Sequence, residues 1–324
     1  MPSPSRCLTA GDALNFVRDR AVHAPTDRPR IGLELEWLTH HRHDRRRRVT
    51  PAELAPVLEA LGDLPCHGRV TVEPGGQVEL SSAPLPSVSD AIDAARTDMA
   101  VLRDALDAVD ITLEGNGLDR ERGPERVVEA GRYRAMETYF DALGPDGRMM
   151  MCNTASIQIN VDVDGDPNEA WRAATLAAPL LARFFNTPSP NRMDVWSRMD
   201  LTRAGAVCGS DVASAWARYA LAARVMFIRA HDDDCIAVLD GMTFSRWIES
   251  GHPLGFPTED DLAEHLTTLF PPVRPRGWFE IRTIDALGDD CWPRAVELTA
   301  ALLLEGSDRR RLLRDGEVPA WSWR

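Results

Sequence analysis

There is not one lysine among the 324 residues, so all 37 basic side chains are arginine. A P-loop, whose lysine reaches the nucleotide phosphates, is excluded. Any grip on phosphate or carboxylate must then come from guanidinium groups, backbone N–H groups or a metal. Net positive charge is lacking too. Fifty acidic residues give a formal charge of −13, which argues against nucleic acid or an anionic membrane surface as the main partner. No apolar run approaches the roughly 20 residues needed to span a bilayer. The opening MPSPSRCLTAGDAL lacks the basic start and apolar middle of a signal peptide, so a soluble cytoplasmic protein is expected. The six cysteines (Cys7, Cys66, Cys152, Cys208, Cys235, Cys291) are scattered without C-x-x-C spacing, which speaks against a zinc site or a disulfide framework.

What is present reads as a mixture of helices and short alternating strands. Residues 11–23 carry helical apolar spacing, and Thr50-Pro51-Ala52-Glu53 opens a second helix with a capping box. Between them IGLELEWL (31–38) alternates with a period of two, the mark of a strand. The stretch HHRHDRRRR (40–48) after it is expected to be an exposed loop. Strands are predicted around 70–73, 77–81, 111–114, 155–163 and 278–284, and helices over 89–109, 132–143, 167–185, 211–228, 258–269 and 293–304. There is no regular βαβ rhythm and no glycine-rich fingerprint after the first strand, so an antiparallel α+β fold fits better than a doubly wound one. No repeat, linker or break in composition appears, and 1–324 is expected to be a single catalytic domain.

The chemistry-bearing residues sit on the strands. Glu34 and Glu36, two apart, point to one face while Leu33, Leu35 and Trp37 cover the other. Two carboxylates at that spacing repel each other unless a cation lies between them, and a hard divalent ion with oxygen ligands would serve. Taken alone, the pair is better explained by a strand face bathed in water. The pattern recurs, however. Glu73 and Glu79 flank the Pro74-Gly75-Gly76 turn, Gln158, Asn160 and Asp162 share one face, and Glu280 and Arg282 alternate with Phe279 and Ile281. An acidic sheet face of this kind is what a multi-metal nucleotide site requires. No Ser/His/Asp or Cys/His set stands out. His231, His252 and His265 are read as structural or exposed, and Thr267 and Thr268 as capping or packing residues.

The segments IGLELEW (31–37), VEPGGQVELSSAPL (72–85), GRYRAM (131–136) and NTASIQINVD (153–162) resemble plant-type glutamate–cysteine ligases. So do FFNTPSPN (184–191), DGMTF (240–244), HLTTLFP (265–271) and GWFEIRTID (277–285). The likeness runs in order from about residue 11 to 305 and is nearest to the bacterial branch that supplies γ-glutamylcysteine for ergothioneine synthesis. It implies a glutamine-synthetase-like fold, a curved antiparallel sheet of about six strands cupping the site with helices outside. It also implies ATP and Mg²⁺, two or three ions, with L-glutamate and L-cysteine joined through a γ-glutamyl phosphate. By motif, Glu34, Glu36, Glu79, Gln158 and Glu280 are similar to the metal ligands, with Glu73 and Asn160 beside them. Arg132, Thr154, Arg192 and Trp196 resemble the grip on substrate glutamate. Arg282, with Glu280, resembles the group acting on the transferring phosphoryl.

Two departures from the family pattern bear on that expectation. The helical extension after the segment matching 293–305 is shortened, and the chain between Pro188 and Trp196 is shorter than usual. The resemblance fixes the glutamate half better than the amine half, so a γ-glutamyl ligase using another amine stands beside the leading reading. A catalytically inactive nucleotide- or metal-binding homologue is the third.

Overall fold

The computed structural model describes residues 7–24, 28–230 and 234–316. The alternating stretch from Ile31 forms a long strand, β1 (Ile31–His41). It buries Ile31, Leu33, Leu35 and Trp37 while Glu34 and Glu36 remain partly accessible on the other face. β2 (Arg69–Val72) and β3 (Val78–Ser81) form a hairpin across the Pro-Gly-Gly turn, and β4 (Ile111–Glu114) pairs with the far end of β1. β5 (Ser156–Val161) lies on the other side of β1, and a small separate ribbon joins β6 (Phe227–Arg229) to β7 (Cys235–Ala237). β8 (Val273–Pro275) and β9 (Phe279–Asp285) complete the main sheet, whose order is β2-β3-β1-β5-β9-β8 with β4 off that path on β1. Every pairing in it is antiparallel, so the α+β class and the antiparallel sheet expected from the sequence are observed.

The two faces of the sheet are covered differently. Helices Val88–Asp107, Pro167–Phe185 and Trp292–Leu303 pack on the apolar face. They enclose Trp37, Trp171 and Trp292 in the larger hydrophobic core. A second, smaller apolar cluster joins helices Gly131–Asp141, Pro145–Asn153 and Arg192–Trp196 through Met136, Phe140, Met151 and Trp196. The polar face of the sheet looks into the space beside this second cluster. Among the described residues no helix is long and apolar enough to cross a membrane.

Three expectations need correction. The helix foreseen over 211–228 ends at Ala222, because Phe227–Arg229 pairs with β7 instead of continuing it. β8, only three residues and ending in proline, was not foreseen. The third concerns HHRHDRRRR. His40 and His41 belong to β1 and are buried, with Nε2 atoms 3.2 Å from Glu114 and 3.6 Å from Glu53 respectively. Arg48 is buried too, and only 42–47 are exposed.

Arg48 is the latch of the region. Its Nη1 donates to the carbonyls of Gly75 (3.0 Å) and Cys152 (3.1 Å). Its Nη2 donates to the Gly123 carbonyl (2.6 Å) and to Asn153 Oδ1. The Pro-Gly-Gly turn is thereby pinned to the end of helix Pro145–Asn153. The approach is so close that a Cβ at Gly75 would lie 2.1 Å from the Cys152 carbonyl oxygen, which is why glycine stands there. Removing the guanidinium strands buried acceptors, at ~1–3 kcal/mol for each left unmet. Arg48→Met is therefore expected to lower unfolding stability in urea by roughly 3 kcal/mol or more, whereas Arg46→Met in the exposed stretch should stay within about 0.5 kcal/mol. Equal, small losses for both would contradict the latch.

Candidate active site

Antiparallel register sets the polar face. Glu36 stands directly opposite Glu79 of β3, and Glu34 is flanked by Ser81 on one side and Gln158 on the other. Asn160 faces Glu280, and Glu280 faces Arg274 of β8. Directly opposed side chains share a face, so five strands contribute to one polar surface. The register slips opposite Gln158, where β9 places two residues, Arg282 and Thr283, against one. This bulge lets Arg282 turn to the carboxylates while Thr283 Oγ1 donates to the Ala178 carbonyl in the helical layer (2.9 Å). Ile284 then returns to the core.

A cavity of ≈ 260 Å³ opens on this face. Ten of the residues singled out in the sequence line it: Glu34, Glu36, Glu73 and Glu79; Arg132, Arg192 and Arg282; and Thr154, Gln158 and Trp196. Like charges opposed across a ladder destabilise it, and burial adds to the cost. Burial first, then Glu280 and Glu79, pushes Glu34 up to about 7 from the ordinary 4.5. Burial and the Glu36 charge push Glu79 to about 7. Burial with Glu79 and Glu36 pushes Glu73 to about 8. Glu36 is also raised, by burial, against the pull of Arg192 and Arg282.

Hydrogen bonds offset part of this. Ser156 gives both its backbone N–H (2.8 Å) and its hydroxyl (3.0 Å) to Glu36 Oε2, and Gln158 Nε2 donates to Glu36 Oε1 at 3.0 Å. Asn160 Nδ2 donates to Glu34 (3.1 Å), and Thr71 and Ser81 hydroxyls donate to Glu79. The donor set is all hard oxygen and strongly anionic, which suits a divalent cation of the Mg²⁺ kind. As placed, no three carboxylate, histidine or cysteine side chains converge closely enough to hold one ion among the described residues; the glutamates take hydrogen bonds instead.

Two expected residues stand elsewhere. Asn160 does not line the cavity; it links Glu34 to Trp278, accepting from the indole Nε1 at 2.7 Å. Glu280, expected as a metal ligand, is fully enclosed and lies behind the lining. Burial alone would raise it, but Arg274 and Arg282 overcome burial and hold it at about 2. Arg274 grips both its oxygens at 2.7 Å, Arg282 Nη1 donates to Oε1, and Arg276 lies 3.5 Å away. A carboxylate so fully paired is set up to orient arginines.

The arginines differ in what they have left to give. Arg192, fully buried, spends Nη2 on the carbonyls of Arg282 (2.6 Å) and Ile284 (3.1 Å) and lies 3.3 Å from Asp285. Its Nη1 is buried without a hydrogen-bond partner, as are Arg282 Nε, Arg132 Nε and Trp196 Nε1. Unmet buried donors cost free energy, and all four belong to residues lining the cavity. The Trp196 ring lies 5.2 Å from the Arg192 guanidinium and 5.7 Å from that of Arg282, holding both in place. Arg132 is more exposed, 3.6 Å from Glu264. Thr154 turns its hydroxyl to the Met150 carbonyl (2.6 Å), so its place in the wall is fixed by its own helix.

Other lining residues escaped the sequence reading. Ser156 shares the two-residue spacing of Gln158 and Asn160 and was legible in that pattern. Gln77, buried, donates to the Thr154 carbonyl at 2.8 Å and accepts from Gly75 N–H; nothing local marks it. Arg274 sits on the three-residue β8, too short to show a period. Thr267, read as a capping or packing residue, lines the cavity and donates to Glu264 O at 2.7 Å. His265 is structural: burial keeps it neutral, near 3, with Nε2 2.9 Å from the Ala220 carbonyl. His231 lies outside the described residues.

Comparison with known proteins identifies the family. A sequence profile of glutamate–cysteine ligase family 2 matches residues 30–319. The glutamate–cysteine ligase EgtA of Mycobacterium tuberculosis (strain ATCC 25618 / H37Rv) is 40% identical over 317 residues, 91% of this chain and 73% of that protein. The EgtA of Mycolicibacterium smegmatis is 39% identical, over 85% of this chain and 69% of its own. The chloroplastic glutamate–cysteine ligase of Nicotiana tabacum is 30% identical, over 71% and 47%. A solved glutamate–cysteine ligase from Francisella tularensis, in complex with AMP, aligns over 92% of this chain and 69% of its own at 12% identity, with a TM-score of 0.41. The chain belongs to glutamate–cysteine ligase family 2.

Proposed function

We propose that this cavity uses ATP and Mg²⁺ to join the γ-carboxyl of L-glutamate to the amine of L-cysteine, within a single catalytic domain, to supply ergothioneine or another low-molecular-weight thiol. The observation that carries the reading is the meeting of four half-buried glutamates with Arg192 and Arg282 in one cavity. Glu34, Glu36 and Glu79, with Gln158, are the residues that would hold two or three Mg²⁺ ions, and Glu73 lies beside them. Bound there, the metal would supply positive charge that offsets the charge developing on the transferring phosphoryl group.

The remaining work falls to the chain itself. A glutamate γ-carboxylate oxygen attacks the γ-phosphorus of ATP and ADP departs. The amine nitrogen of cysteine then attacks the acyl carbon, and inorganic phosphate leaves with the proton that the nitrogen gives up as the amide forms. Arg282, oriented by Glu280 and Gln158, faces the transferring phosphoryl and stabilises its charge. Arg132 and the free Nη1 of Arg192 suit the substrate's α-carboxylate. Thr154 and Trp196 wall that end, and Tyr133, Met136, Met150 and Met151 line it with apolar surface that limits water.

ADP release with glutamate, with and without L-cysteine, backed by product mass, tests the reading directly. Cysteine-dependent ADP and γ-glutamylcysteine are expected. Activity with other amines only would replace the amine, and no turnover with any amine would leave an inactive homologue. Glu36→Gln should cut turnover by about a hundredfold or more, the scale of losing one charge-stabilising group at a transition state, while leaving the circular dichroism spectrum unchanged. Normal turnover in that variant would remove Glu36 from the metal set.

The raised carboxylates also predict how stability depends on pH. Between the ordinary 4.5 and their folded values of about 7 to 8, the native chain keeps protons that the unfolded chain has released. Stability therefore falls as pH rises through that interval. Buried His265, lowered from 6.5, acts in the opposite sense only below about 6.5. In chelator, Tm should thus fall from pH 6.5 to 8, and Mg²⁺ should remove much of the fall by pairing with the ionised form. A Tm that stays level or rises, and ignores Mg²⁺, would contradict this account.

A further inference from the structure

Behind the cavity lies a carboxylate that the reaction steps above leave unused. Asp285, the last residue of β9, is fully buried and does not line the cavity. Its Oδ1 is 3.3 Å from Nε of the equally buried Arg192. A charged guanidinium in the interior is costly unless an opposite charge is held beside it, and Asp285 is that charge. The ion pair also divides the work of the guanidinium. Nε faces Asp285, Nη2 donates to the carbonyls of Arg282 and Ile284, and Nη1 is left over.

The carboxylate is itself held in place. Thr187 gives Asp285 Oδ2 its backbone N–H (3.3 Å) and its hydroxyl (3.4 Å). Asn186 Oδ1 accepts the Asp285 backbone N–H, and Asn186 Nδ2 donates to the Thr283 carbonyl, both at 2.9 Å. Residues 186 and 187 thus clasp the end of β9. Gly117, after β4, packs so closely that a Cβ there would fall 2.3 Å from Asp285 Cγ, so glycine lets the backbone close over the carboxylate. Thr187 passes the constraint onward. Its carbonyl accepts from Asn191 Nδ2 (2.9 Å), and Asn191 caps the short helix Arg192–Trp196. Asp285 therefore fixes Arg192 twice, at its guanidinium and through the turn from which its helix starts.

We propose that Asp285 is a positioning residue for substrate glutamate: acting through Arg192, it keeps Nη1 presented to the α-carboxylate without touching the substrate itself. The inference rests on the ligase reading above. Its direction follows from the charges that remain when Asp285 is made neutral. The next carboxylate acting on Arg192 is Glu36, on the cavity side. The guanidinium is then drawn to a protein carboxylate, and Nη1 is withdrawn from the substrate. Glu36 stays where Ser156 and Gln158 hold it, so the metal face changes little. Glutamate affinity falls, whereas the nucleotide is held as before.

Calorimetric titration of L-glutamate into the full chain, with Mg²⁺ and a non-hydrolysable ATP analogue present, tests the assignment without needing turnover. Asp285→Asn keeps the shape of the side chain and removes its charge. It should raise the Kd for glutamate about tenfold or more and leave that of the nucleotide analogue within about twofold. General damage to the fold would weaken both. Thr187 is exposed, and Thr187→Val removes only the hydroxyl contact, so it should raise the Kd for glutamate about threefold. That variant decides the matter if circular dichroism shows Asp285→Asn unfolded. Unchanged glutamate affinity in the folded variant, or an equal loss for glutamate and nucleotide, overturns the positioning role. Formation of γ-glutamylcysteine by the wild-type chain in that case leaves the ligase reading standing. Selective loss of glutamate affinity, with no ADP release by the wild-type chain on any amine, sustains the role of Asp285 and removes only the reaction. A wild-type chain that neither binds glutamate nor releases ADP overturns both.

Discussion

Glutamates crowded on one face of an antiparallel sheet are the constraint around which this structure is arranged. β1 alone carries Glu34 and Glu36, and the register sets Glu79 opposite Glu36. Such a face is unfavourable by itself, because like charges repel and burial disfavours ionisation. It persists because the opposite face of the same strands is held by a large apolar core, including Trp37, Trp171 and Trp292. Stability made on one side of the sheet thus permits an electrostatically strained surface on the other.

The supporting parts follow from that division. Beneath the carboxylates, Arg274, Arg276 and Arg282 surround the enclosed Glu280, so three guanidinium groups are fixed in place by one anion. Beside them, the second apolar cluster carries Trp196 against the arginines. Arg48 ties the hairpin turn between Glu73 and Glu79 to the helix that ends beside Thr154. A chain without lysine makes each of these connections with guanidinium groups, whose planar, multiple donors can hold several acceptors at once.

Much of this was legible in the sequence. Period-two alternation gave β1, β5 and β9 and the shared face of Glu34, Glu36, Gln158 and Arg282, because strand geometry makes facing a matter of counting. Capping and proline signals gave the start of helix Pro51–Leu61 and both ends of helix Pro167–Phe185. What escaped depends on contacts between distant segments. Arg48 looked like one member of a solvated arginine run, and only its carbonyl partners, as far away as residue 152, make it a buried latch. Glu280 alternated as a ligand would, yet its burial and its pairing with Arg274 come from the short β8, which leaves no periodic trace. The break of the helix foreseen over 211–228 likewise follows from pairing with β7.

The central claim is that the glutamate face of the sheet is a seat for divalent cations rather than a merely tolerated cluster of acids. Counting bound Mn²⁺ by electron paramagnetic resonance, in the wild-type chain at pH 7.5 with and without ATP, tests it most directly. The account predicts saturable binding of two or three ions once the nucleotide is present, displaced by excess Mg²⁺. A chain that binds no Mn²⁺ above background, with nucleotide or without it, would contradict it.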